Sequence, residues 1–229
     1  MLNDYVLQLT EQGCKFGKRL HPYLVLRSKR GCQLCRVVKA RKEVFITQDL
    51  TEKTHYISST GIEGRHADPN VFVQMDTYAV KGLQSGQIQF LYAPTHLNPT
   101  YEYGVTFRAG GTAVTYGDRK QNLHFPEPRV STIKARSCIR GDILKQTERM
   151  LENIDTLLQE AGSGLQDIMQ AIVYLRDPAD YVVVKQYIES RYPSFLHLIV
   201  HAPVCRPGWL IETECIAVIP ADAPQYAYL

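Results

Sequence analysis

A chain of 229 residues is long enough for one large domain or two small ones with a substantial core. With 45% hydrophobic and 21% charged residues and no apolar run of membrane-spanning length, it reads as a soluble globular protein, not as a disordered or membrane-spanning one. The net charge of +3 is uneven: residues 19–36 supply +5 and residues 121–140 supply +3, so the rest carries −5.

Residues 1–17 hold a weak amphipathic pattern (Tyr5, Val6, Leu9) that predicts a helix fragment. The N-terminus lacks the basic-then-apolar pattern of a signal peptide, and a cytoplasmic enzyme is expected. Residues 19–36 have no clean period. Residues 37–45 read as a helix, 54–60 as a strand, and 61–70 as a loop of polar and turn residues. Residues 71–80 alternate, 88–92 make a short strand, and 102–107 with 113–116 form a hairpin around Gly110-Gly111.

The second half is clearer. Asp142 is placed to cap a helix whose stripe runs Ile143, Thr147, Met150, Leu151, Ile154, Leu157, Leu158 and Ala161, ending at Gly162. Residues 168–175 form a strand, Asp177 or Asp180 caps a second helix to Pro193, and residues 196–200 and 209–219 are strands. The order α-β-α-β-β predicts an α+β fold of helices layered on a mixed sheet.

The last strand carries the chemistry-bearing residues. Period-2 alternation puts Glu212, Glu214, Ile216 and Val218 on one face, and carboxylates among aliphatics are costly to bury. Two readings stand open on this pattern. Either this is an edge strand with solvated glutamates, or a general acid sits in an apolar pocket beside the loop of Cys205 and Arg206.

A faint internal repeat supports two copies of one fold. Val37-Val-Lys39, its helix, two strands and Thr77-Tyr-Ala-Val80 parallel Val183-Val-Lys185, its helix, two strands and Cys215-Ile-Ala-Val218. Units 1–94 and 95–229 follow, the first a partial, degenerate copy.

The stretches Glu152-Asn-Ile154, Glu160-Ala-Gly162, Val173-Tyr-Leu-Arg-Asp177 and Ile211-Glu-Thr-Glu-Cys-Ile-Ala-Val218 resemble the Rid (YjgF-like) family. Adding Gly61-Ile-Glu-Gly-Arg65, Tyr101-Glu-Tyr-Gly104, Tyr116-Gly-Asp-Arg119 and Ala202-Pro-Val-Cys-Arg-Pro-Gly208, the chain resembles the chorismatases, whose Rid-like (chorismate mutase-like) fold has a degenerate first copy. That resemblance implies cleavage of the enol ether of chorismate with release of pyruvate, no metal or organic cofactor, and a homotrimer. It implies Glu212 as general acid with Glu214 as the alternative. Cys205 falls where the family varies with product, on the side of 3-hydroxybenzoate. Arg65, Arg206, Tyr101 and Tyr103 are implied as substrate-binding residues for a dicarboxylate. Simple Rid deaminases anchor the substrate carboxylate with an arginine early in the penultimate strand. Here that slot falls near Leu198.

The two basic segments depart from the resemblance. Shifting the reading frame of residues 20–36 permits a strand, a turn and a helix start leading into Val37. Shifting that of residues 125–139 permits a Rid-like strand and hairpin leading into Gly141. Paired frameshifts in the gene would account for both. On that reading Cys32-Gln-Leu-Cys35 carries no redox or zinc chemistry, and the clustered arginines indicate no nucleic-acid partner. Resequencing the locus is expected to reveal compensating insertions and deletions flanking each segment; an unbroken frame through both overturns the idea.

Overall fold

The computed structural model describes residues 2–12, 23–28, 31–50, 59–64, 67–68, 70–71, 73–78, 88–91, 104–109, 112–119, 141–203 and 208–220. Two sheets organise them. A three-stranded sheet has the order β2-β1-β3, from β1 (Tyr23–Ser28), β2 (Ser59–Glu63) and β3 (Val73–Tyr78). Helix α1 (Leu2–Glu11) precedes it, and α2 (Gly31–Thr47) joins β1 to β2.

The six-stranded sheet has the order β4-β5-β6-β9-β7-β8. Its strands are β4 (Ile88–Leu91), β5 (Gly104–Ala109), β6 (Thr112–Arg119), β7 (Ile168–Leu175), β8 (Leu198–His201) and β9 (Ile211–Pro220). Helix α3 (Ile143–Glu160) comes before β7, and α4 (Tyr181–Arg191) links β7 to β8. This is a Rid/YjgF-like α+β fold, a mixed sheet with two packed helices.

Both sheets contain the same β-α-β-β unit. In the first, β1 pairs parallel with β2 and antiparallel with β3. In the second, β7 pairs parallel with β8 and antiparallel with β9. A helix connects the parallel pair in each case, as a crossover requires. The last register pairs, Ser28 with Val73 and Leu175 with Ile211, align the two units. Gln74 thereby occupies the position of Glu212, and Asp76 that of Glu214.

The core of the second unit lies between its sheet and its helices. Met150, Leu151, Ile154 and Leu158 of α3 and Val184 and Ile188 of α4 pack on Ile168, Ala171, Val173 and Leu175 of β7 and Ile211, Cys215 and Ala217 of β9. The three-and-four spacing on α3 is what lets one stripe meet one sheet face. Each such aliphatic, fully withdrawn from water, contributes roughly 1.5–3 kcal/mol. On the same helix, Leu157 and Ala161 cover Leu91 of β4.

Several sequence expectations need correction. Residues 23–28 form a strand and α2 begins at Gly31, both within the stretch read from sequence as having no clean period. Cys32 and Cys35 lie in the first turns of that helix. Gly61, Ile62 and Glu63 belong to β2 and not to a loop, while the expected start of that strand lies outside the described residues. Residues 120–140, including the second atypical segment, also lie outside them.

Asp142 caps α3 as expected: its carboxylate accepts from the Lys145 amide at 3.0 Å, and Gly162 follows the C-terminus at φ +76°. The Lys145 amide, then the Lys145 side chain, hold the Asp142 carboxyl below its ordinary value. A depressed carboxyl contributes stability above its unfolded pKa and loses it as pH falls through the folded one. Asp142→Ala is therefore expected to lower the midpoint of urea unfolding at neutral pH, with the difference from wild type vanishing once Asp142 is protonated in both states. Parallel urea melts across that range check it.

Candidate active site

The two readings of the last strand are separated by its place in the sheet. Strand β9 is interior, hydrogen-bonded to β6 on one side and β7 on the other, so the edge-strand reading is overturned. Ile211, Cys215 and Ala217 face the helices, and Thr213 Oγ1 lies 3.1 Å from Met150 Sδ. Alternation sends Glu212 and Glu214 to the opposite face. Glu212 is 0% exposed and Glu214 9% exposed. A carboxylate in that setting is held at the cost of its hydration.

The surroundings of Glu212 follow from register. Its partner on β7 is Tyr174, beside Val200 of β8, while Glu214 stands opposite Ile172 of β7 and Asp118 of β6. Tyr174 packs with Trp209, Ala202 and Ile62, with Ile172 and Val200 at the margin of the cluster. Ile62 comes from β2 of the first unit. The neighbouring Glu63 amide donates to the Pro203 carbonyl at 2.7 Å. The first unit thus abuts the second at Ala202 and Pro203.

The approach to β9 is held from two sides. Gln146 of α3 donates from Nε2 to the Gly208 carbonyl at 3.2 Å, and its Oε1 accepts from the Leu210 amide at 2.9 Å. From the end of β7, the Arg176 amide donates to the Leu210 carbonyl at 2.9 Å and its Nε to the Trp209 carbonyl at 2.7 Å. On the other flank the Ala202 amide donates to the Leu175 carbonyl.

Of the residues singled out from sequence, Glu212 and Glu214 are brought to one buried face. Cys205, Arg206, Arg65, Tyr101 and Tyr103 lie outside the described residues. Strand β8 reads Leu198-Ile-Val-His201, and Leu198 is exposed. Sequence reasoning missed Tyr174, Trp209, Gln146 and Arg176. Tyr174 was signalled by alternation within residues 168–175. Gln146 was signalled by a polar residue interrupting an apolar stripe. Burial raises the Asp180 carboxyl and the Tyr187 hydroxyl, and a hydrogen bond to Glu189 raises Lys185. Among the described residues no helix is long and apolar enough to cross a membrane.

Comparison with known proteins places this arrangement. A family model described as Endoribonuclease L-PSP matches residues 129–219. A RutC family protein of Pyrococcus horikoshii is 34% identical over 86 residues, 37% of this chain and 68% of that protein. The 3-aminoacrylate deaminase RutC of Acinetobacter baylyi is 33% identical over 79 residues, 34% of this chain and 63% of its own length. The chain thus spans about two thirds of the length of these curated relatives. Among solved structures, a crystal structure of a chorismatase matches 94% of this chain and 68% of its own at a TM-score of 0.69, with 15% identity. At that identity the likeness is one of fold.

Proposed function

Because the chain belongs to the Rid/YjgF (L-PSP, RutC) family, we propose that it works as an enzyme of the chorismatase type, cleaving the enol ether of chorismate and releasing pyruvate. The observation that carries this reading is the fully buried Glu212 on an interior strand, at a face that the first unit abuts. The two-unit likeness to a chorismatase, covering 94% of the chain, supports it.

The chemistry asks for a proton at the enolpyruvyl methylene carbon. Protonation there leaves an oxocarbenium ion; water captures it as a hemiketal, whose collapse releases pyruvate and leaves the ring diol, and loss of water from that diol gives 3-hydroxybenzoate. Withdrawal from water disfavours a carboxyl group's charge, which suits Glu212 to deliver that proton, with Glu214 one pleat along as the alternative. Arg65 and Arg206 are proposed to bind the two substrate carboxylates, as bidentate guanidinium pairing allows. Tyr101 and Tyr103 complete the substrate contacts, and Cys205 directs the outcome towards 3-hydroxybenzoate. No metal or organic cofactor takes part in this scheme.

The chain is read as units 1–94 and 95–229, the second bearing the acid. Strand β4, drawn from residues 88–91, is nevertheless hydrogen-bonded into the second sheet. A cytoplasmic location belongs to the same reading, as does a homotrimer, to which the exposed Met169 and Leu198 offer apolar surface. Light scattering of the purified chain is expected to give three times the chain mass; a monomer removes the trimer from the proposal.

A second reading, imine or enamine deamination, is favoured by the 33% identity to a 3-aminoacrylate deaminase. It is opposed by leucine in the carboxylate-anchoring slot. Assaying the same preparation with chorismate for pyruvate, and with a freshly generated enamine for ammonia, separates the two. Pyruvate from chorismate is expected, and Glu212→Gln is expected to abolish it while leaving thermal unfolding close to wild type. Full activity in that variant removes Glu212 as the acid; ammonia release alone transfers the chain to the deaminases.

A further inference from the structure

The segment Gly208-Trp209-Leu210 precedes Glu212 in the chain and belongs to neither sheet nor helix. Backbone polar groups outside regular structure must find partners elsewhere when buried. Here two side chains and one amide supply them. All three carbonyls of the segment, and the Leu210 amide, are engaged by Gln146 or Arg176. Gln146 is 0% exposed although it sits in the first turns of a helix whose outer face is free to take polar residues. Its primary amide matches a donor–acceptor pair two residues apart, a fit no other side chain type reproduces at that length.

Resting on the chorismatase reading, we propose that Gln146 and Arg176 are positioning residues that clamp residues 208–210 and so fix where Trp209 and Glu212 stand. The two act from opposite sides: α3 through Gln146, the end of β7 through Arg176. Trp209, only 3% exposed, is held between them and packs on Tyr174, the register partner of Glu212. A slackened clamp displaces Trp209 while the helix-side core stays closed, because Ile211, Cys215 and Ala217 remain packed on α3 and α4. Small displacements of this kind act on the chemical step, where misplacement by about 1 Å costs on the order of 10²-fold.

Trp209 is the single tryptophan of the chain, so its fluorescence reads the clamp without any assay of activity. The test compares the full-length wild type with Gln146→Leu, Arg176→Ala and Arg176→Lys. Each is measured by tryptophan emission and acrylamide quenching, far-ultraviolet circular dichroism, and steady-state pyruvate release from chorismate. Gln146→Leu and Arg176→Ala are expected to keep their helical signal and shift Trp209 emission to the red with faster quenching. They should also lower kcat by about 10- to 100-fold with KM little changed. Arg176→Lys keeps a donor for the Trp209 carbonyl and recovers most of what Arg176→Ala loses. Unchanged emission and quenching in folded Gln146→Leu overturns the clamp, as does an unchanged kcat per folded molecule. Should Gln146→Leu fail to fold, the Arg176 pair decides by the same readouts. If the wild type releases no pyruvate, the functional reading falls and the fluorescence comparison alone decides the clamp.

Discussion

The hydrogen bonding of β9 on both edges is the constraint from which the site follows. A strand paired on one side only can turn its polar face to water. Strand β9, seated between β6 and β7, turns one face to the helices, and its other face carries Glu212, 0% exposed, beside its register partner Tyr174. Glu212 is then committed to the interior by the same alternation that puts Ile211 and Cys215 into the core. A slip of one residue would exchange the two sets. The core therefore enforces the placement of Glu212, which has no independent means of choosing its side.

The two β-α-β-β units sharpen this. Their strands pair in the same senses and end on equivalent register pairs, yet Gln74 stands where the second unit has Glu212. Asp76 and Glu214 are acidic at the next equivalent position. An amide cannot deliver a proton as a carboxylic acid does, so the first unit lacks the group to which the chemistry is assigned. What the first unit does present is β2, through Ile62 against Tyr174 and Trp209 and through the Glu63–Pro203 hydrogen bond. One copy carries the glutamate; the other packs against its neighbours as a wall.

The second unit was legible in the sequence and the first was much less so. Residues 143–161 announce α3 by an apolar stripe bracketed by an aspartate cap and a glycine, and strand β7 matches its expected bounds because no competing signal interrupts it. In the first unit the basic, cysteine-containing run hid both β1 and the start of α2. Gly61 and Gly64 made the end of β2 look like a turn. The face of Glu212 was readable from local alternation. Whether β9 was an edge strand was not, since that depends on pairing with residues 112–119, far away in the chain. Gln146 went unread for a related reason: a buried polar residue is explained by its partners, and these lie more than sixty residues along.

The energetics of β9 join these threads. Taking a carboxylate out of water costs several kcal/mol even when partners are found, a large share of the roughly 5–15 kcal/mol that separates folded from unfolded chains. The odd-numbered residues of the strand offset it. Ile211, Cys215 and Ala217 close onto α3, α4 and β7, where burial of each large aliphatic contributes roughly 1.5–3 kcal/mol. On the proposed reading, that cost is met for the proton that Glu212 delivers.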